Sequence, residues 1–308
     1  MTDSLDAKSP VRTKKNYDKP AISFEEQLAK LKERGLRIED DVFALDLLRH
    51  LNYYRLRAYT FPYQDKNENF VESVELSEIV SVYEIDKALR ALVFDGIELF
   101  EIHFRTVIAY HLGKEHGPFG HEKIQNFSSG QEENHRKFLR RLRRETKRSK
   151  ARFMLHYREK YANFPSLPIW IATEIMSLGT LSRLFYMLKT EDKRIIAKNW
   201  DTNFKALTSW VRSLTTVRNI CAHYGRLWNS VQELKIKPSL LNKDKKAGIK
   251  NDNIYFIIYI LRRLTDKNPL AVFWTKRAFQ FLSIHERRLM LPATWKTHPL
   301  WVGLAEQL

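Results

Sequence analysis

Residues 203–224 read NFKALTSWVRSLTTVRNICAHY, and this stretch decides the fold class. Its large apolar residues recur at offsets of 0, 4, 7, 11 and 14, which places them on one face of an α-helix. These residues are Trp210, Leu214, Val217, Cys221 and Tyr224. The pattern predicts one long helix through Tyr224 that packs this face into a protein core.

The remaining chain also favours helices over strands. Only 10 Gly and 10 Pro occur in 308 residues, too few for the many tight turns of a β-sandwich or β-barrel. Ser23 and Glu26 form a capping-box pattern before one helix, and Gly35 provides its stop. Helical patterns cover residues 24–35, 41–56, 76–111, 136–152, 169–188 (with a break at Gly179), 203–224, 254–264 and 270–290. The sequence therefore predicts an all-α, multi-helix bundle.

Segment composition predicts how the chain is organised. Residues 1–20 mix Ser, Pro, Lys and Asp without a hydrophobic period, which is typical of a mobile tail. We expect residues 21–308 to form a single all-α domain. Within it, the N-terminal helices span about 21–70, the core about 75–235 and the C-terminal helices about 253–308, after a polar loop.

The formal net charge is +17, from 53 Lys and Arg against 36 Asp and Glu. Such a surplus favours polyanionic partners, first nucleic acid and second an anionic membrane surface. Residues 136–152 hold ten basic residues and one acid, Glu145. This run is either a solvated helical face or a nucleic-acid contact. The candidate RNA contacts in it are Arg136, Arg140, Arg141, Arg143, Arg144, Lys147 and Arg148.

Three features predict a cytoplasmic protein without a membrane partner. The strongest apolar run, residues 254–261, is too short to span a bilayer. The first fifteen residues lack the apolar region of a signal peptide. The single cysteine, Cys221, excludes an intrachain disulfide framework and a cysteine-rich zinc site, in agreement with a reducing compartment. Cys221 lies on the apolar stripe and is most simply a packing residue.

The candidate catalytic residues are Arg218, Asn219 and His223, an R-N-x-x-x-H arrangement on the predicted helix. At roughly 100° per residue, Asn219 and His223 share a face away from the apolar stripe, and Arg218 lies near its edge. His can act as base or acid near neutral pH, Arg can bind phosphate oxygens, and Asn can orient either group. Groups of this kind could catalyse attack of the 2′-hydroxyl of RNA on the adjacent phosphate. This reaction requires no metal and no cofactor. Arg218 and His223 are about 140° apart, so convergence needs a swing of Arg218 or a second subunit.

A second candidate lies in residues 98–111, where Arg105 and His111 have a similar spacing. Glu101 and Arg105 are in the favourable i, i+4 order for an ion pair. They form either a surface salt bridge or the border of a catalytic cleft. A catalytic role for His111 is the weaker prediction.

The motif segment resembles known families. HEPN ribonucleases carry an R-x(4–6)-H motif, and Arg218 to His223 matches it with four intervening residues. RNICAHYGRLWN (218–229), HLNYYRLRAY (50–59) and WIATEIMSLGTLSRLF (170–185) together resemble the Abi-like, abortive-infection family. The resemblance implies a HEPN-like helical bundle with extra N-terminal and C-terminal helices. It also implies a homodimer with two facing motif helices, and an endoribonuclease used in phage defence.

Two other functions remain open from the sequence. The chain could be a non-catalytic RNA-binding protein of a defence or toxin–antitoxin system that holds a small regulatory RNA. It could also be a DNA-binding regulator that uses the N-terminal helix pair, although such pairs are mostly packing units. Intact Arg218 and His223 favour the enzyme.

Overall fold

The computed structural model describes residues 16–71, 73–231, 236, 238–242, 244 and 249–304. This part of the chain contains twelve α-helices and no β-strand, which confirms the all-α prediction. Close contacts divide the chain into two compact units, with the boundary between Ser81 and Val82. The prediction of one domain over residues 21–308 stays a prediction. Of the predicted tail, residues 1–15 lie outside the described residues, and residues 16–20 are exposed without regular structure.

The first unit begins with α1 (Phe24–Glu33), and its start confirms the predicted capping box. The Glu26 amide donates to Ser23 Oγ at 3.1 Å, and the Ser23 amide donates to Glu26 Oε2 at 2.6 Å. These bonds satisfy two amides that a helix start otherwise leaves unpaired. Gly35 follows the helix at φ +91°, a backbone angle that favours glycine.

The prediction of one helix over residues 41–56 is wrong, because the chain forms α2 (Asp41–Leu51) and α3 (Tyr53–Thr60). Asn52 separates them at φ +67°, which no right-handed helix accommodates. Its side-chain oxygen accepts a hydrogen bond from the Tyr54 amide at 2.9 Å. Asn52 therefore ends one helix and caps the next.

The helix α4 (Leu76–His116) has 41 residues and extends five residues beyond the prediction. The unit boundary falls within it. From residue 82 onwards, every third or fourth side chain is buried in the second unit. The buried stripe comprises Val82, Asp86, Leu89, Val93, Ile97, Phe100, Phe104, Ile108 and Leu112. An aspartate thus occupies a core position in an otherwise apolar row.

The described residues of the second unit form eight further helices, which are α5 (Glu132–Arg148), α6 (Arg152–Lys160), α7 (Ile169–Ile175), α8 (Leu178–Met187), α9 (Thr190–Lys198), α10 (Phe204–Ala222), α11 (Ile254–Thr265) and α12 (Val272–Ile284). Of these, α8 packs against both α5 and α10. Residues 254–261 are all buried, so the strongest apolar run of the sequence is a core helix. Part of the predicted loop before it lies outside the described residues. Among the described residues, no helix combines the length and apolarity needed to cross a membrane.

The predicted break at Gly179 lies two residues too late. The preceding helix ends at Ile175, and Ser177 Oγ accepts from the Thr180 amide at 3.3 Å and so caps α8. Gly179 lies inside α8, where a Cβ would be 3.4 Å from Thr215 Cγ2 of α10. A side chain at this position would thus be in ordinary contact with α10.

Candidate active site

The three motif residues lie in the last turn and at the end of α10. Asn203 caps this helix by accepting from the Ala206 amide at 2.9 Å. Trp210, Leu214, Val217 and Cys221 are buried, as their spacing predicts. Burial raises the pKa of the Cys221 thiol to about 12, so this residue is a protonated packing group at neutral pH.

The polar face of α10 carries the motif as predicted. Asn219 and His223 are exposed, while Arg218 is partly buried. The guanidinium carbon of Arg218 lies 5.4 Å from the ring centroid of Phe94 on α4, a cation–π distance. This contact holds Arg218 near the edge of the apolar stripe.

The prediction that α10 extends through a buried Tyr224 is wrong. Its last helical residue is Ala222, and His223 is the C-terminal cap. Tyr224 has φ +57° and is 68% exposed, and the Gly225 amide donates back to the Ile220 carbonyl at 2.8 Å. This backbone arrangement is a Schellman motif with tyrosine in the left-handed position. His223 therefore lies where the chain leaves the helix, free of the helical core.

Asp86 of α4 fixes the segment that follows His223. Its Oδ1 accepts from the Leu227 amide at 3.1 Å and from the Trp228 amide at 2.7 Å. The same carboxylate forms a buried ion pair with Arg90. A fully buried charge is tolerated only when it is paired and hydrogen-bonded in this way. The end of the motif helix is thus anchored to the central helix of the unit.

Arg218 lines a cavity of about 340 Å³ together with Glu101 and Arg105. Arg105 forms a partly buried ion pair with Glu101 and also donates to the carbonyls of Thr173 and Glu174 at the end of α7. The pair therefore holds α7 against α4 and borders the cavity of Arg218. The cavity is lined by Phe94, Ile97, Glu98, Glu101, Ile102, Arg105, Glu174 and Arg218.

Arg218 and Asn219 also line a second cavity, of about 690 Å³, between α8 and α10. Four arginines face it, one of which is Arg141 of α5. His223 is not among the residues that line either cavity. One chain thus brings Arg218 and Asn219 together at a basic groove but leaves His223 outside it.

The basic run of the sequence forms α5, which ends at Arg148 instead of continuing to Arg152. Arg141 differs from the other candidate RNA contacts because it is partly buried. It pairs with Glu145 at 2.9 Å, while Arg136 and Arg140 pair with Glu133 at the surface. The exposed candidates are Arg136, Arg140, Arg143, Arg144, Lys147 and Arg148.

His111 has a structural partner that the sequence analysis missed. Its buried Nε2 lies 2.7 Å from Asp192 Oδ1, and His116 Nε2 lies 3.2 Å from the same oxygen. Burial alone raises the pKa of Asp192, but the two histidines outweigh it and hold this pKa below the usual value. Within the described residues, no group of His, Cys, Asp and Glu has the geometry to hold a metal ion. His111 therefore belongs to a cluster with His116 and Asp192 in the protein interior.

The fold and this site define an all-α protein with an Arg-Asn-His motif at a helix end, beside a basic groove. A family model described as Abi-like protein matches residues 46–229, which include all three stretches that suggest the resemblance. The chain belongs to the Abi-like family, and this membership suggests abortive-infection phage defence. No curated protein and no solved structure matches the chain.

Proposed function

We propose that this protein is a metal-independent endoribonuclease of the HEPN type, acting in abortive-infection defence with RNA as its substrate and without a cofactor. The observation that carries the proposal is the position of Arg218, Asn219 and His223 at the anchored end of α10, where Asn219 and His223 are exposed and Arg218 and Asn219 line a groove rich in arginines. Polar residues that a rigid scaffold holds at the surface are typical of a functional site.

The proposed reaction is a transesterification within RNA. The 2′-oxygen attacks the adjacent phosphorus, and the bond from phosphorus to the 5′-oxygen of the next nucleotide breaks. The products carry a 2′,3′-cyclic phosphate and a 5′-hydroxyl. A neutral His223 accepts the proton of the 2′-hydroxyl, and a protonated His223 from a second copy donates one to the 5′-oxygen. Arg218 stabilises the charge that develops on the phosphate, and Asn219 orients the phosphate.

Two further groups support this chemistry in the proposal. Glu101 and Arg105 border the cavity of Arg218 and position α7 beside it. The exposed basic residues of α5 attract the RNA backbone by neutralising phosphates. The active species is a homodimer, since one chain separates His223 from the groove that Arg218 lines.

The test is cleavage of total RNA by the purified protein in EDTA. We expect the wild type to cleave, and Arg218→Ala and His223→Ala each to lose cleavage while circular dichroism reports an unchanged helical content. His156→Ala is the matched control, because His156 is exposed on α6 and lines neither of the two cavities at Arg218. It should cleave like the wild type.

Two results would count against the enzyme. Equal cleavage by the wild type and His223→Ala would remove the catalytic role of this site. RNA binding without cleavage by any of these proteins would favour the alternative, a non-catalytic protein that holds a small regulatory RNA.

A further inference from the structure

The groove between α8 and α10 follows one face of α10. Thr208, Arg212, Thr215 and Asn219 line it at intervals of three or four residues. Asn219 follows Thr208 by eleven positions, which corresponds to about 16 Å along the helix axis. The groove thus extends over three helical turns and ends at the motif.

The charge of this groove has one sign. Four arginines line it, and no acidic residue is among the described lining residues. The side chains of Arg183 on α8 and Arg212 on α10 are exposed, and neither has an acidic partner in the described part of the chain. An unpaired guanidinium presents a planar fork that matches phosphate oxygens. Arg183 and Arg212 are therefore free to bind two phosphates.

The third groove arginine is already held in place. Arg141 Nε donates to Glu145 Oε1 at 2.9 Å, and its Nη2 donates to Ser177 Oγ at 3.3 Å. A guanidinium that is hydrogen-bonded through two of its nitrogens loses little further conformational freedom when it contacts a ligand. Arg141 is thus held in position at one side of the groove, whereas the exposed Arg183 and Arg212 supply the contacts to phosphates.

The aromatic and hydroxyl content of the groove suits a single strand. Tyr186 lines it and is 55% exposed, and Ser182 and Thr216 add hydroxyl groups. Proteins that bind single strands combine a basic groove with aromatic side chains on which unstacked bases lie. Double-stranded RNA is instead recognised across its minor groove, largely by shape. The lining of this groove matches the first mode.

We infer that this groove is a single-stranded RNA site, in which Arg183 and Arg212 bind successive phosphates and lead the strand to Arg218 and Asn219. The inference rests on the proposed function, because it takes the motif as the destination of the strand. A single strand also suits the chemistry, since the 2′-oxygen must align with the bond that breaks.

The experiment measures binding of a fluorescent 2′-O-methyl RNA 12-mer to the full-length wild-type protein over a series of salt concentrations. This probe has no free 2′-hydroxyl and so remains intact. Each phosphate contact on a single strand contributes about 0.7 to the slope of log affinity against log salt. We expect Arg183→Gln with Arg212→Gln to reduce this slope by about 1.4 and to weaken binding about tenfold near physiological salt.

Two variants control for charge and folding. Arg158→Gln with Arg287→Gln removes the same charge from exposed arginines outside the groove and should leave the slope nearly unchanged. Arg183→Lys with Arg212→Lys keeps the charge and should keep most of the slope. For a duplex of the same sequence, Arg183→Gln with Arg212→Gln should change the salt slope no more than the control pair does.

The outcomes separate this inference from the proposed function. Equal salt slopes for the groove pair and the control pair would show that the groove does not bind RNA, even if the wild type cleaves RNA. If Arg183→Gln with Arg212→Gln reduces the salt slope equally for the duplex and for the single strand, the assignment of the groove to single-stranded RNA would be overturned. A groove-dependent slope in a protein that never cleaves RNA would support the groove and reject the nuclease.

Discussion

Asp86 shows how much of the candidate site depends on a residue outside the motif. It occupies a core position of α4, where its carboxylate accepts two backbone amides from the segment after His223 and pairs with Arg90. The motif itself could be predicted from the spacing of Arg218, Asn219 and His223. The sequence signal for Asp86 is its place in an apolar row, but the two amides that it binds are about 140 residues away and no local pattern identifies them.

Replacing Asp86 tests this anchor. Asp86→Ala removes the carboxylate that pairs with the buried guanidinium of Arg90 and accepts two backbone amides, so we expect it to lower the free energy of unfolding by about 3 kcal/mol or more. Cleavage should fall as well, because the end of α10 loses its attachment. Asp86→Asn keeps one acceptor oxygen and should cost less. Urea unfolding followed by circular dichroism measures the difference.

The matched control is Asp95→Ala on the same helix. The Asp95 side chain is 44% exposed and pairs with Arg277 at the surface. Exposed pairs contribute at most about 1 kcal/mol. A loss for Asp86→Ala no larger than that for Asp95→Ala would reject the anchor.

The helices with regular apolar spacing were predictable, and the places where they end were less so. The long helix α4 and the core helix α11 follow from periodicity alone, and the start of α1 follows from its capping box. The breaks at Asn52 and Ser177 are capping events within apolar patterns that continue on both sides. The end of α10 was misplaced because Tyr224 continues the 3.6-residue period, although its left-handed backbone stops the helix.

Packing between α4 and α12 gives a prediction for a whole element. A Cβ at Gly96 would lie 2.6 Å from the Trp274 ring, whose Nε1 donates to the Leu92 carbonyl at 2.8 Å. The indole cannot move without breaking this bond. We therefore expect Gly96→Ala to lower the free energy of unfolding by about 2 kcal/mol, because overpacking outweighs the gain in helix propensity.

Gly113 on the same helix is the control. A Cβ there would lie 3.5 Å from Ile169 Cγ2, an ordinary contact distance. Gly113→Ala should leave stability unchanged or raise it by up to about 1 kcal/mol, since alanine favours the helix. Equal effects of the two substitutions in thermal unfolding would show that the helix contact at Trp274 is not tight.

For the whole molecule, the family, the all-α class and the position of the motif could be predicted from the sequence, whereas the basic groove could be identified only from the fold. Arg183 and Arg212 are unremarkable in sequence, and only the packing of α8 against α10 places them on one surface with Asn219. The position of His223 outside that groove is the reason for proposing a composite site. Two copies related by a two-fold axis supply two sets of motif residues from one sequence.

The composite site predicts a mass of at least twice the 36.6 kDa of one chain in light scattering. Arg218→Ala and His223→Ala subunits that are mixed and allowed to exchange form sites with one intact His223 and one intact Arg218, so we expect at most partial activity from them. A monomer that cleaves RNA at the full rate, or mixtures that recover the full wild-type rate, would reject the shared site.

The central claim is that Arg218 and His223 cleave RNA through its 2′-hydroxyl. The most direct measurement is mass spectrometry of the ends that the wild-type protein produces from a defined single-stranded RNA in EDTA. We expect a 2′,3′-cyclic phosphate on one product and a 5′-hydroxyl on the other, and neither product with His223→Ala. Products that end in a 3′-hydroxyl and a 5′-phosphate, or the same products from His223→Ala, would contradict the account.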